Sequence, residues 1–319
     1  MLRRLFSLIT LSFLLGSASA AEPVPPADSA ETPRPTLLDG AILGLVEGIT
    51  EFLPVSSTGH LIIASDALGL DSSAPVIVPG RDQPVELKQA TDAFIVIIQI
   101  GAIAAVALLY WRRVTRILAG LVGRDRDGLR LAINIVIACI PAGVLGLLLG
   151  DLIDAYLFSI NAVIFALVTG ALLMFWVEAR RKKHPAAASP AVTLETLRPG
   201  QALLIGGMQC FALWPGTSRS MVTIVGGYLA GLPPVLAAEF SFLVGLPLLS
   251  AAATLKTYKH GPEVLAAFGS GPILVGLLVA AVSAALAVRF LVGFLNRHGL
   301  AAFAWYRLGL AAVLLAVTL

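Results

Sequence analysis

Charge is scarce in this chain: Asp, Glu, Lys and Arg together make up 13% of its 319 residues, where a soluble domain would carry roughly a quarter. That excludes an ordinary water-soluble globule. Cysteine is nearly absent too. Cys139 and Cys210 stand far apart in apolar runs with no companion at metal-binding or redox spacing, so both read as small buried residues. The net charge is only +3, and the bases cluster beside hydrophobic segments. That is a mark of membrane orientation, not of nucleic-acid binding.

Apolar residues supply what charge does not. They make up 58% of the chain and run continuously, as in 95–109, 131–149 and 273–288, over lengths that approach a hydrocarbon core about 30 Å thick. The sequence therefore predicts an all-α polytopic membrane protein. Residues 1–20 read as a signal peptide: Arg3-Arg4, an apolar stretch, then Ala18-Ser19-Ala20 as a cleavage site, with an uncleaved signal anchor as the rival. Residues 21–36, rich in Pro, Ala and acids, read as a disordered periplasmic lead-in.

Eight apolar segments follow, at roughly 38–69, 92–110, 131–150, 158–177, 201–231, 235–254, 272–295 and 301–318. Six are uninterrupted. The segments 38–69 and 201–231 are broken by Pro, Gly, Ser and Thr. Arg112, Arg113, Arg116, Arg124, Arg126 and Arg130 follow one span, and Arg180, Arg181, Lys182 and Lys183 another, which places both loops in the cytoplasm. Asp151 and Asp154 mark an external connection. The first broken segment must then enter and leave from outside, and the second from the cytoplasm. This predicts six transmembrane helices and two re-entrant hairpins in an inverted-topology repeat, residues 37–184 and 185–319. Glu51-Phe-Leu-Pro-Val-Ser-Ser57 echoes Ala212-Leu-Trp-Pro-Gly-Thr-Ser218, and Ala67-Leu-Gly-Leu70 echoes Leu229-Ala-Gly-Leu232. Repeats of this kind carry their site near the midplane, where the broken segments meet.

The breaks hold the polar residues. Glu47 and Glu51, four apart, share one helix face, and carboxylates in apolar surroundings mark function. Pro54 ends or kinks that helix. Ser56, Ser57 and Thr58 follow where a new helix N-terminus favours an anion, and His60 lies within one turn of Ser57. Gly40, Gly44 and Gly48 form a packing stripe. The second break offers Pro215-Gly-Thr-Ser218-Arg219-Ser220, with Thr223 beyond. The planar fork of Arg219 suits phosphate or carboxylate, and a pairing with Glu47 or Glu51 would equally bring the breaks together. A serine beside a histidine base, with arginine on a phosphate, suffices for phosphoester or anhydride cleavage. The acids would orient the histidine or bind a divalent cation.

Taken together, Glu47-Gly-Ile-Thr-Glu51-Phe-Leu-Pro-Val-Ser-Ser-Thr-Gly-His60 and Pro215-Gly-Thr-Ser-Arg-Ser220…Thr223 resemble the two signature motifs of the bacterial undecaprenyl-diphosphate phosphatases, the bacitracin-resistance family. Ala238-Glu239-Phe240-Ser241-Phe242 and Trp305-Tyr306-Arg307 extend the likeness to the C-terminus. The resemblance implies hydrolysis of a polyprenyl diphosphate to its monophosphate on the outer face of the bacterial inner membrane. That reaction recycles the lipid carrier for peptidoglycan, and so serves cell-wall biogenesis and cell shape, and it protects against bacitracin. It implies Glu51, Ser57, His60 and Arg219 as catalytic residues, with Ser57 as the candidate nucleophile and His60 as its acid/base partner, or with a water attacking in place of the serine. Ser56, Thr58, Ser218, Ser220 and Thr223 would bind phosphate, and Glu47 with Glu51 would hold a divalent cation, Mg or Ca. The expected partners are the lipid substrate, the bilayer and a homodimer mate.

Two rivals compete. A second membrane lipid phosphatase pattern requires His and Asp where Val225 and Leu229 stand, so it fails. A lipid or ion transporter or flippase would use the same inverted repeat for alternating access, and would release no phosphate. His184 reads as part of a solvated loop, and His260 and His298 as loop residues without chemistry. Pro141 and Pro247 are expected kinks, and Gln99 has no assigned role.

Overall fold

The computed structural model describes residues 34–157, 159–183 and 193–318. The signal peptide, most of the lead-in and His184 lie outside the described residues. Helix α1 (Leu37–Thr50) opens on a capping box, in which the Thr36 hydroxyl accepts the Asp39 N–H and the Asp39 carboxylate accepts the Thr36 N–H at 2.6 Å. It stops at Thr50 because Pro54, four residues on, has no N–H to give the Thr50 carbonyl. Residues 51–55 turn, and α2 (Ser57–Ala67) begins. A short antiparallel ribbon, β1 (Pro75–Val76) against β2 (Val85–Glu86), leads into α3 (Leu87–Leu109).

Helix α4 (Trp111–Leu121) precedes α5 (Arg126–Leu157). Asp125 caps α5 by accepting the Gly128 N–H at 2.8 Å, and that amide, with Arg116, holds the Asp125 carboxyl below its usual range. Helix α6 (Ile160–Lys183) completes the first half. The second half runs α7 (Pro199–Gln209), a 3₁₀ turn (Cys210–Leu213), α8 (Arg219–Leu229), α9 (Pro234–Phe268), α10 (Ser270–His298) and α11 (Ala301–Thr318).

Among the described residues, Leu87–Leu109, Arg126–Gly150, Ile160–Lys183, Pro234–Phe268 and Ser270–His298 are long and apolar enough to cross a membrane, and Ala301–Ala316 is a shorter apolar helix. Leu147 and Leu148 of α5, Leu172 of α6, and Leu278 and Val282 of α10 stand exposed, an outer surface suited to lipid and not to water. The chain is a multi-pass helical membrane protein. Its first break is held in place by α10, which lies along α1 so closely that a Cβ on Gly40 or Gly44 would sit 3.0 Å from the Cα of Pro272 or Gly276. The glycine stripe thus serves packing, as its spacing suggests.

Four expectations are corrected. Asp151 and Asp154 lie in helix α5, which continues to Leu157 because 151–157 contains neither Gly nor Pro to stop it. His260 lies inside α9, which runs on through Pro262. There the fully buried Glu263 pairs with Arg81 at 2.7 Å and with His260 Nδ1 at 2.9 Å, and these bonds fix the end of the helix against the segment that follows β1. His298 is the last residue of α10, its ring stacked on Phe294 with centroids 4.5 Å apart. Cys139 and Cys210 are free and only half-buried.

Candidate active site

The two breaks adopt one local conformation. Ser56 has φ 77° and ψ 98°, and Ser218 has φ 73° and ψ 112°. They are the two non-glycine residues with positive φ among the described residues, a backbone state that costs about 1–3 kcal/mol each. Each is the N-cap of the helix that follows: Ser56 Oγ accepts the Gly59 N–H at 3.3 Å, and Ser218 Oγ accepts the Met221 N–H at 3.3 Å. Both helices then end at a glycine of positive φ, Gly69 and Gly231, the same number of residues on. This shifts the echo seen in the sequence by one residue. Ser218 corresponds to Ser56 and not to Ser57, because Pro215-Gly-Thr-Ser218 has one residue more than Pro54-Val-Ser56. Arg219 therefore corresponds to Ser57, each being the first residue of its helix.

Those two residues meet on one carboxylate. Arg219 Nη2 donates to Glu51 Oε1 at 2.9 Å, and the Ser57 hydroxyl donates to Glu51 Oε2 at 3.0 Å. The Arg219 and Glu51 side chains are only 9% and 7% exposed. A buried pair of this kind gains stability only through good geometry and further hydrogen bonds, and both are present. Arg219 Nη1 donates to the Ser241 carbonyl at 3.1 Å, and the guanidinium carbon lies 5.4 Å from the Phe52 ring centroid. Phe52 in turn meets Phe242 edge-on at 5.6 Å. The breaks are also tied by Ser220 Oγ, which donates to the Leu53 carbonyl at 2.9 Å and lies 3.0 Å from Ser218 Oγ. Thr223 hydrogen-bonds the Arg219 carbonyl at 2.8 Å and Ser241 Oγ at 2.6 Å.

Gly245 closes this cradle, because a Cβ there would lie 2.6 Å from Arg219 Nη1. The guanidinium is held at both ends and cannot swing aside without breaking a bond. Gly245→Ala is therefore expected to lower kcat/KM about 100-fold, the scale of a 1 Å misplacement, with little effect on the amount of folded protein. Steady-state kinetics on the purified variant check this.

His60 lies apart from Ser57's hydrogen bond. Its Nδ1 is 2.7 Å from the Ser56 carbonyl and its Nε2 is 2.6 Å from the Tyr306 hydroxyl. The expected Ser57–His60 pair is thus replaced by Ser57–Glu51. The imidazole turns to the carbonyl four residues back, and the serine turns to the carboxylate at the end of α1. Thr58 is half-buried, and its hydroxyl has no partner among the described residues.

Several site residues were not assigned from sequence. Ser241 and Phe52 hold Arg219. Gln99, left without a role, lies beside the Glu47 carboxyl and acts on it electrostatically. Tyr306 and Arg307 entered only through the resemblance, although two polar residues inside the last apolar segment were a usable signal. Arg307 is fully buried and donates to Ala166 O at 2.9 Å, Leu167 O at 3.3 Å and Gly216 O at 3.1 Å, so it pins the second break to α6.

The carboxylates are compatible with a hard divalent cation. Glu47 is buried, its Oε1 has no hydrogen-bond partner, and it feels the like charge of Glu51. Among the described residues no group of three or more His, Cys, Asp or Glu side chains converges. The protein would thus supply two acidic ligands at most, and phosphate oxygens and water the rest, as is common for Mg²⁺.

Comparison with known proteins agrees with this picture. The family model described as bacitracin resistance protein BacA matches residues 40–313. A Sorangium cellulosum protein named undecaprenyl-diphosphatase is 43% identical over 278 residues, 87% of this chain and 85% of its own length. Undecaprenyl-diphosphatase 2 of Rhodospirillum rubrum is 44% identical over 281 residues, 88% of this chain and 94% of its own. An undecaprenyl-diphosphatase of Clostridium tetani is 38% identical over 284 residues, covering 88% and 95%.

Proposed function

The chain belongs to the bacitracin resistance protein BacA family, and from that premise we propose that it is a membrane phosphatase that hydrolyses undecaprenyl diphosphate to undecaprenyl phosphate and inorganic phosphate. This activity recycles the carrier lipid of cell-wall synthesis and confers bacitracin resistance. One observation carries the reading beyond family membership: a guanidinium, a carboxylate and a hydroxyl, contributed by two separate breaks, form one hydrogen-bonded chain, Arg219–Glu51–Ser57.

In this reading Arg219 neutralises the terminal phosphate, helped by the free amides at the starts of α2 and α8. Arg219 Nε is buried and has no hydrogen-bond partner, so the residue keeps a donor for the phosphate while its terminal nitrogens hold Glu51 and Ser241. Glu51 accepts the proton of Ser57, whose oxygen either attacks phosphorus, to give a phosphoserine that water then hydrolyses to free phosphate, or orients the attacking water. The bond to the lipid-linked phosphate breaks, and His60 handles the proton on that side. Glu47 and Glu51 would hold a divalent cation, which supplies charge neutralisation on the phosphates when bound.

The halves of each break support the re-entrant reading. Helices α1 and α2 have 14 and 11 residues, and α7 and α8 have 11 each. At about 1.5 Å per residue no one of them spans a 30 Å core. With the matched Ser56 and Ser218 conformations, this supports two inverted repeats whose hairpins dip toward each other. The charge asymmetry supports a site opening to the periplasmic side of the inner membrane.

Purified protein in detergent should release phosphate from undecaprenyl diphosphate, whereas a transporter would release none. A chelator should stop the release, with activity restored by Mg²⁺ or Ca²⁺. Full activity after exhaustive chelation would remove the cation from the mechanism.

A further inference from the structure

His60 is held from both sides, and the second hand belongs to the last helix. The Ser56 carbonyl can only accept, so Nδ1 carries the proton of the neutral imidazole and Nε2 is the basic nitrogen. The group 2.6 Å from Nε2 is the Tyr306 hydroxyl, which must then be the donor. The two rings are also stacked, with centroids 5.5 Å apart and planes within 6°. Ser56 is the strained residue of the first break, so the same turn that caps α2 also supplies the carbonyl that selects this tautomer. Tyr306 is about half exposed, which leaves its hydroxyl a route away from the protein interior, whereas Nδ1 faces the backbone.

We propose that Tyr306 is a positioning residue for the phosphatase reaction: its hydroxyl fixes the imidazole of His60 and relays the Nε2 proton. The inference rests on the phosphatase reading. The relay conserves protons: the hydroxyl gives its proton to Nε2 as its oxygen takes one from a hydronium ion in the adjoining water, and in reverse the Nε2 proton passes to the oxygen as the hydroxyl proton leaves to water. The adjacent Arg307 secures the placement. It anchors α11 to the carbonyls of α6 and of Gly216, so Tyr306 cannot slide along the helix axis.

Tyr306→Phe keeps the stacked ring and removes only the hydroxyl. It is expected to lower kcat about tenfold, the value of one hydrogen bond, and to leave KM within about twofold of wild type. Trp305→Phe, one residue away on the exposed side of α11, should leave both constants unchanged. Selective ¹⁵N labelling of the four histidines, with His60→Gln to assign the signal, should show His60 as the pure Nδ1–H tautomer in wild type and as a mixture in Tyr306→Phe. A Tyr306→Phe variant with wild-type kcat, or an equal loss in Trp305→Phe, would overturn the proposal. A wild-type protein that releases no phosphate would instead overturn the phosphatase reading, and the tautomer measurement would still report on the bond.

Discussion

Arg219→Ala is expected to reduce phosphate release from undecaprenyl diphosphate at least about 1,000-fold. Arg219 is a cation shared by both breaks, and it is expected to meet the charge that develops on phosphorus, where one preorganised donor is worth about 10²–10³ in rate. Its loss also strands Glu51, 7% exposed, with only the Ser57 hydroxyl as partner. Breaking a buried pair from one side costs about 3–5 kcal/mol, so the yield of folded protein should fall as well. Arg219→Lys separates the two effects. It keeps the charge and so restores the yield, but one ammonium cannot reproduce the planar fork that reaches Glu51 and the Ser241 carbonyl together. Activity should stay about 100-fold below wild type. Size-exclusion profiles and phosphate assays on the three proteins decide the matter: an Arg219→Ala protein with wild-type turnover would remove Arg219 from the site.

Much of this arrangement was legible before any coordinates, because it follows from cost. So many acids, hydroxyls and bases in two short stretches of an apolar chain have no bland explanation in hydrocarbon, and Pro54 and Pro215 mark where each helix must stop. What stayed hidden was of two kinds. Local geometry was hidden because a serine gives no sign that it will take positive φ. The strain at Ser56 and Ser218 is visible only in the backbone, and with it the one-residue shift that matches Arg219 to Ser57. Long-range partners were hidden because spacing reports only neighbours. His60 and Ser57 share a turn, so sequence reasoning paired them, yet the imidazole found a hydroxyl 246 residues away. His260 likewise looked like a loop residue until Glu263 and Arg81 showed what fixes that end of α9.

Ser57 and Glu51 are expected to fail as a unit. The serine is the first residue of α2 and Glu51 lies just past the end of α1, so the turn between them, set by Pro54 and the strained Ser56, delivers the hydroxyl to the carboxylate at 3.0 Å. If Ser57 is the attacking group and Glu51 takes its proton, neither is of use without the other. Ser57→Ala and Glu51→Gln should then each cost about 1,000-fold or more in kcat, and the double variant should cost no more than the worse single, as is found for residues that act together. Glu51→Gln carries a second penalty, because a neutral amide leaves Arg219 without its counter-charge, so its fall in folded yield should exceed that of Ser57→Ala. A kinetic cycle over the four proteins reads the coupling directly. If instead Ser57→Ala retains substantial activity that Glu51→Gln removes, the carboxylate is activating water without the serine. If the two losses multiply, the hydrogen bond that joins them has no part in the chemical step.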